Sequence, residues 1–269
     1  RNLIMKETKL PLQNKNIIIT RAKDQTSEAK NIFKNAGAFI FDLPALIIDY
    51  PDNMTPLDKV IAQIDTFDWI IFLSSNGIKY LDKRLIDKGS SLKKCSHDFN
   101  IAVVGEKTAQ YLSNAGIVAD YVPPNFIAKS LVENFPYPLK DLHILIPRVQ
   151  SGGNNLIVEN FLSRGALVKE VAVYESRCPE LIPQETINAL QSKMIDAILF
   201  SSGKTVKNTA FLLQKYFGSD WESILRQVKL FSIGPQTTLE CKRNFGRVDK
   251  EADIYTFEGL LKATINYFS

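Results

Sequence analysis

The stretch Asp68-Trp69-Ile70-Ile71-Phe72-Leu73-Ser74-Ser75 decides the fold, because it recurs as Asp196-Ala197-Ile198-Leu199-Phe200-Ser201-Ser202. In each copy an acidic residue precedes an unbroken apolar run, and small hydroxyl residues follow it. So short a continuous run marks a strand buried on both faces, as in a parallel sheet covered by helices; a strand with one wet face would alternate. The two copies stand 196 − 68 = 128 positions apart. Gly37-Ala38 and Gly165-Ala166 repeat at 165 − 37 = 128, Val104-Gly105-Glu106-Lys107-Thr108 and Ile233-Gly234-Pro235-Gln236-Thr237 at 233 − 104 = 129, and Arg21 and Arg148 at 148 − 21 = 127. Anchors at so constant an offset predict a pseudo-repeat of two similar halves, each of about 128 residues.

The same alternation extends outward in both directions. Further buried strands are expected at 17–20, 101–104, 143–146 and 230–233, each followed by a polar or glycine-containing turn and a segment of helical period. After the first, Ala29, Ile32, Phe33 and Ala36 recur at helical spacing and Gly37 supplies a C-cap. Residues 38–49 and 166–176 are longer and of mixed polarity, and read as hinges or edge strands. Pro123-Pro124 and Phe135-Pro136-Tyr137-Pro138 punctuate loops, the second between the halves. The fold class is α/β with parallel sheets, and a length of 269 residues agrees with two domains.

Composition excludes several functions. Thirty-three Lys and Arg against 29 Asp and Glu leave a net charge of +4, dispersed along the chain, which disfavours a dedicated nucleic-acid binder and leaves an anionic small molecule open. Cys95, Cys178 and Cys241 are far apart and never in a C-x-x-C pair, which argues against a disulfide framework and a zinc site and fits a reducing cytosol. His97 and His143 have no partner at ligand spacing, so no metal is expected. Apolar runs fall far short of the roughly 20 residues of a membrane span. The first residues lack the pattern of a secretory signal, and Met5 is the expected native start.

In open parallel sheets, ligands bind beyond the carboxyl ends of strands, where turns into helices expose backbone N–H groups. Four turns qualify: Ser74-Ser75-Asn76-Gly77, Gly105-Glu106-Lys107-Thr108, Ser201-Ser202-Gly203-Lys204-Thr205 and Gly234-Pro235-Gln236-Thr237. Taken singly, each Ser, Thr or Asn is an ordinary N-cap, worth about 1 kcal/mol to its helix. Taken together, they could hold several carboxylates or phosphates. Ser202-Gly203-Lys204-Thr205 imitates a phosphate loop, but position 198, where that motif needs glycine, is Ile198. No G-x-G-x-x-G follows a strand, and no G-x-S-x-G elbow exists. With neither paired carboxylates nor a placed histidine, any chemistry rests on binding and orientation. Tyr174 is the exception: the repeat sets Leu46 opposite it, 174 − 46 = 128. It is either a strand aromatic that packs by its ring or a general acid, since a phenol with pKa near 10 stays protonated at neutral pH.

The order of these motifs resembles the uroporphyrinogen-III synthase family: Ile19-Thr20-Arg21, Gly37-Ala38 with Leu43-Pro44-Ala45-Leu46, Asp68 to Phe72 with Ser74, Val104-Gly105 with Thr108-Ala109, Val173-Tyr174-Glu175, Phe200-Ser201-Ser202, and Ile233-Gly234-Pro235 with Thr237. Leu73 and Ser201 stand where that family commonly has threonine, and Gly203-Lys204 where it frequently has Pro-Ser. The resemblance implies two flavodoxin-like domains joined by a two-stranded hinge. It assigns 1–38 and 178–269 to domain one, 50–168 to domain two, and 39–49 and 169–177 to the hinge strands. It implies a cofactor-independent lyase that closes hydroxymethylbilane, a linear tetrapyrrole with eight carboxylates, to uroporphyrinogen III with ring D inverted and water lost.

On this resemblance Tyr174 protonates the departing hydroxyl, Ser74, Thr108, Ser202 and Thr237 are donors in a cleft, and Arg148 and Lys204 meet carboxylates. Arg21, Ser75, Asn76, Gly105, Ser201, Gly203 and Gly234 complete the substrate-binding set. It further implies a cytoplasmic monomer in haem biosynthesis, supplied by hydroxymethylbilane synthase, with no membrane or nucleic-acid partner. Two readings compete with it: a two-lobed protein that binds a small molecule without chemistry, and a catalytically silent scaffold.

Overall fold

The computed structural model describes residues 8–22, 27–125, 127–153 and 155–269; the expected start at Met5 lies outside them. The chain runs β1 (Asn16–Ile19), α1 (Ser27–Asn35), β2 (Phe39–Asp42), β3 (Ile47–Asp49), α2 (Thr55–Ala62), β4 (Trp69–Phe72), α3 (Ser75–Asp87), α4 (Leu92–Cys95), β5 (Asn100–Val103), α5 (Glu106–Asn114), α6 (Ala128–Asn134), β6 (His143–Val149), α7 (Leu156–Ser163) and β7 (Leu167–Arg177). It continues with α8 (Gln184–Gln191), β8 (Ala197–Phe200), α9 (Gly203–Phe217), α10 (Trp221–Ile224), β9 (Lys229–Ser232), α11 (Pro235–Phe245), β10 (Lys250–Glu251) and α12 (Phe257–Phe268). Two compact units result: one formed by residues up to Ile47 with Arg177–Ser269, the other by Ile48–Ser176.

In the first unit the sheet order is β10-β9-β8-β1-β2, and every pair in it is parallel. The apolar runs are continuous because both faces are covered. Ile17, Ile19, Ala197 and Leu199 pack with Phe33 of α1 and Leu260 of α12, while Ile18, Ile198 and Phe200 pack with Ile187 of α8 and Val206 and Leu213 of α9. The second unit repeats the design with sheet order β3-β7-β6-β4-β5. There Ile70 and Phe72 face Leu57 of α2 and Ile78 and Leu81 of α3, and Trp69 and Ile71 face Leu131 of α6 and Phe161 of α7.

The acidic residue that precedes each repeated run has the same task in both units. The Asp68 carboxylate accepts from the His143 backbone N–H at 2.8 Å, and that of Asp196 accepts from Asn16 N–H at 2.7 Å. Each aspartate thereby ties the start of its own strand to the start of the next one, β6 or β1. Asp120 and Asp249, 249 − 120 = 129 positions apart, do likewise for Ile101 N–H at 2.7 Å and Leu230 N–H at 2.8 Å. His143 is thus a strand-opening residue.

The mixed-polarity segments resolve into three strands. Residues 39–42 form β2, the edge strand beside β1; β3 is the edge of the second sheet; and β7 runs for 11 residues between β3 and β6. β6 extends to Val149, three residues past its expected end, because β7 continues beside it. The short β10 was not anticipated; two residues are too few to show a period. Among the described residues no helix is long and apolar enough to cross a membrane.

Cys241, on α11, is fully buried, and burial, reinforced by the Glu240 carboxylate, pushes its thiol up from 9.0 to about 12. The folded state therefore keeps a proton that the unfolded chain releases. Its contribution to stability is whole below pH 9.0 and is lost as pH rises toward about 12. A thiol reagent at about pH 8 is expected to leave Cys241 unmodified in the folded protein and to modify it in urea. Urea titrations at rising pH above 9.0 should show a fall in stability that Cys241→Ala flattens.

Candidate active site at the strand-end turns

Both sheets have a point where the chain reverses its direction of travel. In the second unit β4 leads to β5 on one side and β6 to β7 on the other, so the crevice lies beyond the carboxyl ends of β4 and β6. The same argument places the crevice of the first unit beyond β1 and β8.

A cavity of about 290 Å³ occupies the predicted position in the second unit, lined among others by Leu73, Ser74, Val104, Arg148, Gly153 and Tyr174. Ser74 caps α3 from extended backbone, its Oγ accepting from Gly77 N–H at 3.1 Å. The same Oγ lies 3.2 Å from the Tyr174 hydroxyl, and either group can donate. Tyr174 owes its place to a break in register: Arg148 pairs with Ala172, but Val149 pairs with Tyr174. Such a bulge re-aims the side chain that follows it. The Tyr174 carbonyl accepts from Gln150 N–H at 2.8 Å, and its ring is 6.1 Å from that of Tyr80.

Arg148 is held by the protein itself. Nη1 pairs with Glu170 and donates to Asn155 Oδ1 at 3.2 Å, and Nη2 donates to the Gly152 carbonyl at 2.7 Å. Its side chain is only 12% exposed, so its charge enters the cavity already compensated by Glu170. Gly153 makes room for it. At φ +102 this residue occupies the left-handed region, and a Cβ there would stand 2.1 Å from Arg148 Nη2.

The neighbouring turn is tied to this one by Ser75 Oγ, which donates to the Lys107 carbonyl at 3.3 Å. Asn76 lies half-exposed in the first turn of α3. Gly105 caps α5 at φ 99, a conformation that requires glycine, and Thr108 is buried three residues on.

In the first unit Ser202 caps α9, accepting from Thr205 N–H at 3.2 Å, and Thr205 completes a capping box. Ser201 is half-buried ahead of it and Lys204 is exposed in the first turn. Gly203 lets α11 approach closely, since a Cβ there would meet Glu240 Cγ at 2.7 Å. Gly234 is clamped by Ser232, whose Oγ donates to its carbonyl at 2.7 Å. Thr237 is buried in the first turn of α11, and Arg21 stacks over the Phe257 ring at 4.5 Å.

Ser74, Arg148 and Tyr174 thus meet in one cavity, and the other expected residues line the strand ends of their own units. Sequence reasoning missed Gly152, Gly153, Asn155, Glu170 and Tyr80. The glycine pair after the β6 run was a readable signal of a fifth turn; Glu170 and Tyr80 carry no local mark. Among the described residues no cluster of three or more His, Cys, Asp or Glu is placed to hold a metal ion.

Two α/β units, one with a parallel and one with a mixed sheet, and with capped helix N-termini at their switch points, make a fold of the doubly wound kind. The chain belongs to the uroporphyrinogen-III synthase family: residues 27–262 match the family model described as uroporphyrinogen-III synthase HemD. It is 44% identical to the uroporphyrinogen-III synthase of Synechococcus elongatus over 94% of this chain and 95% of that one. It is 28% identical to a putative uroporphyrinogen-III synthase of Methanocaldococcus jannaschii over 91% of this chain and 96% of that one. The crystal structure of uroporphyrinogen-III synthetase from Helicobacter pylori shares the fold, with a TM-score of 0.60 at 18% identity, covering 94% of this chain and 99% of that one.

Ser74 has two tasks that substitution separates. Ser74→Ala is expected to cost about 1 kcal/mol through loss of the α3 cap, whereas Ser74→Gly costs only about a few tenths, both read from urea midpoints. Both variants remove the hydroxyl beside Tyr174. A loss of turnover common to both therefore reports that contact rather than helix stability.

Proposed function

We propose that this protein cyclises hydroxymethylbilane to uroporphyrinogen III, inverting ring D and releasing water. Membership of the family supports the reaction, and the observation that supports the site is the Tyr174 hydroxyl, set by the β7 bulge beside Ser74 in the lining of a cavity. The substrate's C–O bond breaks, Tyr174 supplies the proton that lets hydroxide leave as water, and an azafulvene remains. Its methylene carbon is attacked by the ring D α-carbon that already carries the bridge to ring C, not by that ring's unsubstituted α-carbon. A spirocyclic intermediate forms, the bond from its spiro carbon to the ring C bridge breaks, and the freed bridge carbon bonds to the other ring D α-carbon, which loses its proton to give the product. The sequence is redox-neutral, so the reading requires no cofactor and assigns the protein to the hydro-lyases.

Regiochemistry is the larger task, because unassisted closure uses the other carbon. Orientation must supply the difference, and the N-terminal amides of α3, α5, α9 and α11 are suited to carboxylates without a large net charge. Ser74, Thr108, Ser202 and Thr237 are the proposed donors, with Arg148 and Lys204 as cationic partners. Residues 39–49 and 169–177 are the proposed hinge strands; they contain the crossings between units at Ile47–Ile48 and Ser176–Arg177. The proposed setting is a cytoplasmic monomer in haem biosynthesis, fed by hydroxymethylbilane synthase.

With freshly made hydroxymethylbilane, the expected product after oxidation is predominantly type III uroporphyrin; type I alone rejects the reading and favours binding without catalysis. Tyr174→Phe is expected to lower kcat by about tenfold to a hundredfold, less than a full general-acid contribution because the azafulvene also forms without help. Unchanged turnover in that variant removes the general-acid role and leaves the cyclase standing.

A further inference from the structure

We infer that Tyr80 is a positioning residue for Tyr174, fixing through its own anchored ring the place at which the Tyr174 hydroxyl stands; the inference rests on the reading of Tyr174 as the acid. Helix α3 holds Tyr174 at two points. At its N-terminus Ser74 meets the hydroxyl at 3.2 Å, and 80 − 74 = 6 residues later the Tyr80 ring lies against the Tyr174 ring at 6.1 Å and an interplanar angle of 32°. A phenol gripped only at its oxygen can still swing about its two side-chain torsions. A second contact on the ring face removes that freedom.

Tyr80 can do this because it is itself immobilised. It is 6% exposed, and its hydroxyl donates to the Ile48 carbonyl of β3 at 2.9 Å. The edge of Tyr50 packs on it at 5.6 Å and 82°. The Lys83 ammonium lies 4.9 Å from the Tyr50 ring centre and 5.5 Å from that of Tyr80, covering both. Tyr50 is held in turn by Asp87, to which its hydroxyl donates at 2.8 Å, and by Arg84, whose guanidinium lies 5.8 Å from its ring centre. Burial and the Asp87 carboxylate push the Tyr50 phenol well above its ordinary value, so Tyr50 keeps its proton. A column of three rings therefore runs from the β3 edge of this unit to the cavity, and only Tyr174 lines that cavity among the three.

The test is a double-mutant cycle. Tyr80→Phe keeps the ring and removes the hydrogen bond to Ile48. It is expected to lower kcat about fivefold, with KM unchanged within about twofold. In a Tyr174→Phe background the same change should have no effect, because the residue through which Tyr80 acts has lost its hydroxyl. An equal fractional loss in both backgrounds overturns the inference. A second readout is independent of turnover: the ring resonance of Tyr174 in protein labelled with ring-13C tyrosine, assigned by its loss in Tyr174→Phe. It should move in Tyr80→Phe, and an unmoved resonance overturns the inference. If Tyr174→Phe alone leaves turnover unchanged, the acid role fails, and the resonance alone decides whether Tyr80 positions the ring.

Discussion

The constraint on which the structure depends is the burial of β4 and β8 on both faces. Trp69, Ile70, Ile71 and Phe72, and Ala197, Ile198, Leu199 and Phe200, are all at most 2% exposed. Burying each large side chain contributes about 1.5 to 3 kcal/mol, so the central strands can carry no polar side chain of their own. Polar chemistry is pushed to their ends. At the amino ends Asp68 and Asp196 knit neighbouring strands together; at the carboxyl ends Ser74 and Ser202 open helices. The division is mechanical: one end of each sheet is spent on register, and the other holds the helix starts.

That division explains what could be read from the sequence. The strands were legible because a four-residue apolar run needs no partner to be recognised, and most fell within one residue of their expected limits. The turns were legible because capping residues act within three positions, as Ser74 on Gly77 and Ser202 on Thr205. What could not be read is what depends on register between strands. The bulge that lets Val149 face Tyr174 is a property of two strands side by side, and no pattern within β7 announces it. Glu170 is hidden for the same reason. It pairs with Ile146 across the ladder, two residues from Arg148, a distance invisible along a sequence in which 22 positions separate the ion pair.

Arg148 shows what residue type alone leaves out. The family resemblance casts it as a carboxylate partner, and the sequence shows nothing else that it binds. In the folded unit three protein acceptors already surround it, and Gly153 is shaped to admit it. An incoming carboxylate must compete with Glu170, which lowers the gain from binding and raises the geometric demand on any anion that succeeds. Backbone amides at helix starts carry no such counter-charge. A polyanion is better served by several of them than by one compensated guanidinium, and the modest net charge then ceases to be a puzzle.

A near-symmetric chain that makes an asymmetric product must break its repeat somewhere. The repeat is kept where it serves folding: the four aspartates that accept from amides at strand starts and the paired serine caps have equivalent partners at nearly the same distances. It is abandoned at the carboxyl ends of the strands. Gly105 is left-handed at φ 99, whereas Gly234 is extended at φ −176 and leads into Pro235, so the two helix starts point their free amides from different backbone frames. Leu46 stands where the repeat would place a second Tyr174, and it has no hydroxyl to offer. The symmetric features are those that buried backbone groups demand of both units alike. The differences gather at the carboxyl ends of the strands, and a protein selecting one of two ring orientations can draw its selectivity only from features that its halves do not share.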